Sequence, residues 1–265
     1  MIRTGTVTTD AFTMDYFKFG TGDRTFVILP GLSVQSVMGF AEAVAEAYQT
    51  LTEDHTVYLF DRRKDLPDPY SIKDMARDTA EAMHALGIKN ADLFGASQGG
   101  MIAMEIAAGE PELLENLILG SSSAYADEKL NQTVENWISL ARKGDREGLY
   151  LAFGKAVYPD EVYEQSKELI MAAAGTVTDE DLRRFAVMAE GLKGFDIRGD
   201  LAKIQCPVLI LGSEDDKVLG PDASELLAEV LKDHAELYIY KGHGHAAYDT
   251  APDYKERIKA FLKGR

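Results

Sequence analysis

Residues 91–109 have the sequence ADLFGASQGGMIAMEIAAG, in which a short apolar run gives way to small residues and then to an apolar helical pattern. The run predicts a buried β-strand, and the pattern that follows at once predicts an α-helix. Ser97 lies between them, with Gly95 and Gly99 on either side. A turn this sharp strains the serine backbone and leaves no room for side chains at the two glycine positions. The sequence therefore predicts a strand-to-helix turn that presents the Ser97 hydroxyl above a sheet.

The segment from Gly95 to Gly99 matches the Gly-x-Ser-x-Gly pattern of a nucleophile elbow. A pattern this short also occurs by chance, and a dinucleotide-binding loop is a second interpretation of a glycine-rich turn between a strand and a helix. That loop requires a glycine at the position occupied by Ser97. The amide of Gln98, at the start of the helix, would face any anion formed beside the hydroxyl. Ser97 is therefore a candidate nucleophile, and the Gln98 N–H is a candidate oxyanion donor.

Composition narrows the class of protein. The 265 residues can bury a large core, and they carry 28 basic and 44 acidic residues, for a net charge of −16. This charge disfavours nucleic acid and anionic membranes as partners. The N-terminus lacks a signal-like apolar core and no long apolar run follows, so we expect a cytoplasmic protein that acts on a small molecule. The single cysteine, Cys206, excludes an internal disulfide and a multi-cysteine metal site, and we expect it to be a small buried residue.

Apolar runs alternate with helical patterns in two parts of the chain, residues 1–120 and 200–265. Repeated units of this kind predict an α/β fold, with a mostly parallel central sheet flanked by helices on both faces. Two alternating runs at residues 4–10 and 15–19 predict an N-terminal hairpin at the sheet edge. The predicted core strands are residues 25–29, 56–60, 91–96, 116–120, 207–212 and 236–240, and the predicted helices 36–51, 71–86, 98–109, 221–232 and 252–262.

The alternation stops in residues 121–199, where only helical patterns occur, at residues 130–143, 146–156, 159–174 and 178–190. An insertion of this size is too long for a loop and too short to be a typical independent domain. We expect it to form a helical cap over the strand ends. Its candidate pocket-lining side chains are Trp137, Tyr150, Phe153, Tyr158, Met171, Phe185 and Met188.

Two polar clusters, at residues 212–217 and 241–245, directly follow the last two predicted strands. Because parallel strands end at the same edge of a sheet, both clusters should lie near Ser97. A hydroxyl needs a base within hydrogen-bond reach, and a carboxylate to orient that base, before it can attack a carbonyl. A histidine and an aspartate of these clusters can supply the two groups.

With these features the chain resembles the α/β-hydrolase family over nearly its whole length. The closing pattern G-H-x-x-x-x-x-x-P of many members stands at residues 244–252, so the resemblance places the catalytic histidine at His245, with His243 as a flanking residue. The family's Asp-x-Val acid loop stands at residues 216–218 and implies Asp216 as the acid, with Asp215 as the alternative.

Members usually carry His-Gly after the first central strand, where this chain has Pro30-Gly31. The backbone is retained, so the resemblance still places the second oxyanion donor on the amide of Leu32. A serine nucleophile argues against haloalkane dehalogenases and epoxide hydrolases, and the absence of an H-G-G-P-G stretch argues against proline iminopeptidases. The charged loop at residues 61–69 is expected to be a solvated connection, although Arg62, Arg63 and Lys64 could instead gather at the pocket mouth.

The resemblance implies acyl transfer to water by Ser97, His245 and Asp216, with no metal or organic cofactor. We expect a serine esterase that prefers neutral esters with small to medium apolar acyl groups, because the surface charge repels anions. An amidase or aminopeptidase and a cofactor-free perhydrolase or haloperoxidase would use the same triad. A ligand receptor with a silent triad is the alternative from another class. The sequence specifies neither the physiological substrate nor the oligomeric state.

Overall fold

The computed structural model of the protein describes residues 1–264 and contains one eight-stranded sheet in the order β1-β2-β4-β3-β5-β6-β7-β8. Strand β2 runs antiparallel to both β1 and β4, and every other neighbouring pair is parallel. The predicted mostly parallel sheet with an N-terminal hairpin at its edge is confirmed. The strands are β1 (Arg3–Thr8), β2 (Thr13–Gly20), β3 (Arg24–Leu29), β4 (His55–Phe60), β5 (Ala91–Ala96), β6 (Leu114–Gly120), β7 (Val208–Ser213) and β8 (Ala235–Tyr240).

Helices cover both faces of the sheet. Helices α2, α3 and α8 contribute to the core on one face. Helix α10 contributes to the core on the other face, and partly buried residues of α1 pack against it. None of the helices within residues 1–264 has the length and apolar character needed to cross a membrane. The helices are α1 (Ala41–Ala47), α2 (Ile72–Ala85), α3 (Gln98–Gly109), α4 (Glu128–Arg142), α5 (Arg146–Val157), α6 (Asp160–Ala174), α7 (Asp179–Glu190), α8 (Ala223–Leu231), α9 (Ala247–Thr250) and α10 (Tyr254–Lys263).

The central strands are apolar throughout because they are buried on both sides. In β3, Val27 and Leu29 pack in the core that α2 and α3 cover, whereas Phe26 and Ile28 pack in the opposite core. Alternate residues of a strand point to opposite faces, so a strand between two helical layers needs apolar residues at every position. Each such side chain contributes roughly 1.5 to 3 kcal/mol by leaving water. This burial fixes the strand ends from which the polar loops emerge.

The predicted single helix at residues 36–51 is wrong. The structure has a 3₁₀ turn at Val37–Phe40, the short helix α1, and a second 3₁₀ turn at Gln49–Leu51. Gly39 weakens a helix in the first turn, since glycine costs about 1 kcal/mol relative to alanine in a helix interior. The buried apolar residues of the segment lie in or next to the tight turns, and α1 itself buries no residue. Packing therefore favours the turns over a continuous helix.

Helices α4 to α7 form the insertion between β6 and β7, and their bounds lie within two residues of the predicted ones. The largest difference is at α4, which begins at Glu128 instead of the predicted Leu130. Side-chain caps explain where they begin. Asp127 accepts a hydrogen bond from the Leu130 amide at 2.7 Å, and Thr178 and Asp181 form a reciprocal capping box. Such caps satisfy amides that have no partner within the helix.

Candidate active site

The turn between β5 and α3 holds Ser97 with φ 53° and ψ −119°, a strained conformation for a residue with a side chain. The two glycines make this turn possible. A Cβ at Gly95 would lie 2.3 Å from the Gly99 carbonyl oxygen, and a Cβ at Gly99 would lie 2.0 Å from the Leu29 carbonyl oxygen. The Ser97 amide donates to the Gly120 carbonyl at 2.8 Å, which ties the turn to β6. The close packing of the backbone around the two glycines and the hydrogen bond to β6 therefore keep Ser97 in its strained conformation.

A continuous chain of hydrogen bonds joins the three predicted triad residues. The Ser97 Oγ lies 2.9 Å from His245 Nε2, and His245 Nδ1 lies 2.8 Å from Asp216 Oδ2. His245 and Asp216 are both buried. Because an ionised carboxylate only accepts hydrogen bonds, Nδ1 carries the proton of the neutral imidazole and Nε2 is left to accept from the serine hydroxyl. This is the tautomer that a general base requires.

Asp216 stays ionised although it is buried. Burial raises its pKa, but the interaction with His245 and the hydrogen bonds from the amides of Leu219 and Val218 lower the pKa below its usual value. The two amides donate to Asp216 Oδ1 at 2.8 and 2.9 Å, and Oδ2 is left for His245. The carboxylate is therefore fixed in orientation and available as the partner of an imidazolium.

Asp215 points elsewhere. Its Oδ1 accepts from Ser213 Oγ at 2.7 Å, and its Oδ2 accepts from the Gly244 amide at 3.1 Å. Gly244 has a positive φ of 62° and directly precedes His245. The structure thus brings Asp216 against the histidine ring and uses Asp215 to hold the backbone of the histidine loop.

The two predicted oxyanion donors belong to segments that meet at Ser97. Gln98 is the first residue of α3, so its amide has no carbonyl partner within the helix. The loop after β3 passes close to the serine, because a Cβ at Gly31 would lie 3.3 Å from Ser97 Cβ. Leu32 lines the same small cavity as Ser97. The dipole of α3 and the placement of these two segments would stabilise an anion beside the serine oxygen.

The cavity at Ser97 has a volume of about 20 Å³, room for roughly one water molecule. Of the seven predicted lining residues, it contacts Trp137 and Phe153, whose ring centroids lie 4.7 Å apart. Leu32 was predicted beside Ser97 as an oxyanion donor, and it also lines the cavity. The sequence analysis missed the other apolar lining residues, several of which directly follow the elbow, acid and histidine loops. Beside Ser97, His245, Trp137 and Phe153, the lining comprises Gly31, Leu32, Met101, Leu130, Val157, Leu192, Val218, Leu219 and Tyr248.

The insertion contacts the loops that carry the triad. The side-chain amide of Gln98 donates to the Met188 carbonyl on α7 at 2.8 Å. The amide of Ala246, next to His245, donates to the Val157 carbonyl on α5 at 3.0 Å. Lys129 of α4 donates through Nζ to the backbone carbonyl of Asp216 at 3.3 Å. The insertion therefore contacts a residue at or next to each of the three triad positions.

The expectation of a solvated loop at residues 61–69 is wrong for Arg62, which is only 5% exposed. Its Nη2 donates to the Pro30 carbonyl at 2.8 Å and lies 3.4 Å from Gln98 Oε1. Burial lowers the pKa of Arg62, while Tyr70 and Asp61 raise it. The acceptors of its hydrogen bonds are a backbone carbonyl and a side-chain amide, and no charge pattern in the sequence indicates such partners.

The two following cations do not gather at the pocket mouth. Arg63 Nη1 forms an ion pair with Asp78 at 3.2 Å, and Lys64 Nζ forms one with Asp15 at 2.9 Å. Each of these cations is thus engaged with a carboxylate outside the cavity lining.

Two further reactive side chains, His243 and Cys206, lie outside the triad. His243 Nδ1 lies 3.1 Å from Thr250 Oγ1, and the predicted structural role of His243 as a flanking residue fits this contact. Cys206 was expected to be buried, but it is only half-buried. Burial raises the pKa of its thiol to about 11. A thiol with such a pKa is a poor nucleophile near neutral pH.

A sequence model of the alpha/beta hydrolase family matches residues 26–254. The chain is 29% identical over 234 residues to "Putative carbamate hydrolase RutD" from Pseudomonas savastanoi pv. phaseolicola, and the match covers 83% of this chain and 88% of that protein.

Solved structures show the same architecture. MGS-M2, an alpha/beta hydrolase enzyme from a Medee basin deep-sea metagenome library, superposes with a TM-score of 0.87 at 23% identity, covering 98% of this chain and 97% of that one. A thermophilic esterase from Thermogutta terrifontis superposes with a TM-score of 0.80 at 21% identity, covering 99% and 98%. At these identities the likeness shows a shared fold.

Proposed function

Since this chain belongs to the α/β hydrolase family, we propose that it is a serine hydrolase that cleaves carboxylic esters through an acyl-enzyme. The observation that carries the proposal is the hydrogen-bond chain from Ser97 Oγ through His245 to Asp216, with distances of 2.9 and 2.8 Å. A serine in this arrangement can lose its proton as it attacks, which makes the hydroxyl an effective nucleophile.

In the first half of the reaction, Ser97 Oγ bonds to the ester carbonyl carbon while its proton passes to His245 Nε2. The carbonyl oxygen becomes an oxyanion, to which the amides of Leu32 and Gln98 donate. Each such donor stabilises the transition state by about 3 to 4 kcal/mol. The carbon–oxygen bond to the alcohol then breaks, and the leaving oxygen takes the proton from His245.

In the second half, water enters and gives a proton to His245 Nε2 as its oxygen attacks the acyl carbon. The same two amides accommodate the second oxyanion. The bond to Ser97 Oγ breaks, the serine recovers its proton from His245, and the carboxylic acid leaves. Asp216 stays ionised and stabilises the imidazolium in both halves.

The proposed substrates are neutral esters with small to medium apolar acyl groups. The apolar lining that Trp137, Phe153 and Leu130 contribute supports this class, as does the net charge of −16. A cavity of about 20 Å³ cannot hold an acyl group, so side chains from the insertion must move aside when a substrate binds. We propose that residues 121–199 act in this way as a cap, and that the enzyme is cytoplasmic with neither nucleic acid nor membrane as partner.

Carbamates are a second candidate class. The name of the RutD relative favours them, and a carbamate presents the same carbonyl to Ser97, with an amine in place of one substituent. Hydrolysis would pass through a carbamoyl-enzyme, with bond changes that parallel those at an ester.

A panel of p-nitrophenyl acetate, butyrate and octanoate, with matched anilides and N-alkyl carbamates, tests the proposal. We expect the highest kcat/KM on a short or medium ester. Faster turnover of the carbamates would favour the second class, and faster turnover of the anilides would favour an amidase. A rate of peroxyacid formation from hydrogen peroxide and acetate that exceeds the rate of ester hydrolysis would favour a perhydrolase. A protein that binds these compounds without turnover would be a receptor, and the proposal would be wrong.

A further inference from the structure

Arg62 is a buried cation outside the triad that the proposed mechanism does not use. Its guanidinium makes no ion pair with any carboxylate whose position the structure describes, and its Nε has no hydrogen-bond partner among the described groups. The contacts that it does make are to neutral oxygens, the Pro30 carbonyl and the side-chain carbonyl of Gln98. A buried charge that forms no ion pair is costly, so its retention in the core needs a reason.

Both contacts lead to an oxyanion donor. Pro30 lies two residues before Leu32, in the loop that passes close to Ser97, so a hydrogen bond to the Pro30 carbonyl restrains that loop. Gln98 is itself the second donor residue. Its side chain is held at both ends, because Oε1 faces Arg62 at 3.4 Å and Nε2 donates to the Met188 carbonyl at 2.8 Å.

We propose that Arg62 is a positioning residue, whose single guanidinium fixes the spacing between the two oxyanion donors. The proposal rests on the serine hydrolase function given above. The loop after β3 and the start of α3 belong to different segments of the chain. Arg62 lies in a third segment, the loop that follows β4, and contacts both. One rigid, planar group in contact with both segments holds their relative position better than separate flexible side chains could.

The charge adds to the effect of geometry. The transition state places a negative charge at the amides of Leu32 and Gln98, next to the groups that Arg62 contacts. A buried cation with neutral partners is attracted to that charge through a medium of low dielectric constant. The ground state, with a neutral ester, gains no such attraction. Arg62 should therefore lower the barrier more than it strengthens the binding of substrate.

Two substitutions separate the contributions. Arg62→Met keeps an apolar stem of similar length but removes the charge and the hydrogen-bond donors. Arg62→Lys keeps the charge but lacks the planar guanidinium whose Nη2 contacts both Pro30 and Gln98. Arg63→Met is the matched control, because Arg63 lies in the same loop but directs its guanidinium to Asp78 and to the carbonyls of Asp65 and Ala11.

The readouts are kcat/KM for p-nitrophenyl butyrate and the inhibition constant of n-butylboronic acid. The boronic acid adds to the serine hydroxyl as a tetrahedral anion and so reports the oxyanion site directly. We expect Arg62→Met to lower kcat/KM about 10- to 100-fold, as misplaced catalytic groups do. The inhibition constant should rise by a similar factor. Arg62→Lys should lose about 3- to 10-fold in both readouts, and Arg63→Met should stay within about twofold.

The proposal is overturned if Arg62→Met keeps both values within twofold of Arg63→Met. It is also overturned if kcat/KM falls while the boronic acid binds as tightly as in the parent, since that pattern indicates a general structural role. Should Arg62→Met fail to fold, parent-like values for Arg62→Lys would overturn it equally. A parent protein that hydrolyses no ester contradicts the proposed function as well, whereas an active parent with an equally active Arg62→Met contradicts only the role of Arg62.

Discussion

The two sides of the cavity at Ser97 differ in how they are built. On the sheet side, polar groups are fixed by short hydrogen bonds, and the carboxylate of Asp216 alone accepts three, from His245 and from two backbone amides. On the side of the insertion, the lining is apolar, with Trp137 and Phe153 as its largest members. One side is specified by directional contacts, and the other by shape and volume.

This difference separates rate from selectivity. Hydrogen bonds on the sheet side act on groups that every ester shares, so a change there should slow all substrates by a similar factor. Side chains on the insertion side meet the acyl group, which varies from one substrate to the next. A change there should reorder the substrates. The following substitutions test whether the sheet side sets the overall rate and the insertion side sets the substrate preference.

The largest loss is expected from Ser97→Ala. Removal of the nucleophile should lower kcat for every ester by about 10⁴- to 10⁶-fold, because the remaining groups of a triad act poorly without it. The alanine loses no core contact, so thermal unfolding should occur within a few degrees of the parent. Steady-state kinetics and a melting curve check both expectations. An alanine variant that still hydrolyses esters at the parent rate would overturn the assignment of the nucleophile.

The next largest effect distinguishes two neighbouring aspartates. Asp216→Asn should lower kcat about 10²- to 10⁴-fold, because the amide cannot stabilise the imidazolium and favours the wrong tautomer. Asp215→Asn should cost only about 3- to 30-fold, since it loosens the backbone of the histidine loop without touching the ring.

The two variants are matched in size and charge, so kcat measured side by side on one ester decides between them. A larger loss for Asp215→Asn would contradict the roles given to the two residues.

A substitution on the insertion side should change preference rather than overall rate. Phe153→Ala removes an aromatic ring from the cavity lining, so the ratio of kcat/KM for octanoate to acetate esters should rise about tenfold. Leu149→Ala is the control, because Leu149 lies buried on the same helix but outside the lining. If both variants shift the ratio equally, the change comes from loosened packing and the separation of rate from selectivity fails.

The smallest expected effect concerns charge. A neutral butyrate ester should be preferred over a matched ester that bears a carboxylate, because the net charge of −16 repels anions. High ionic strength should narrow this preference by about twofold, since salt screens exposed charges. The check is kcat/KM for both esters at low and high salt. A preference for the carboxylate ester that fades with salt would instead indicate a basic recognition site.

Periodicity in the sequence was enough to predict the sheet, the helices on both its faces and the four helices of the insertion, because long segments with one buried face have a strong pattern. A rule of topology, that parallel strands end at one edge of the sheet, predicted that the polar loops at residues 212–217 and 241–245 lie near Ser97. The choice of Asp216 and His245 within those loops came from the resemblance to the α/β-hydrolase family. The contacts of Arg62 could not be predicted, because its partners are a carbonyl and an amide on other segments. The broken helix at residues 36–51 was likewise decided by packing, which overrides local pattern.

Labelling with a fluorophosphonate probe, followed by peptide mapping, tests directly whether Ser97 is an activated nucleophile. The probe phosphonylates a serine only where a base accepts its proton and oxyanion donors hold the developing charge. We expect one adduct per chain, on the peptide that contains Ser97, and parallel loss of labelling and of ester hydrolysis in the alanine variant. A folded parent protein that gains no adduct, or gains it on another residue, would contradict the role of Ser97 as the nucleophile.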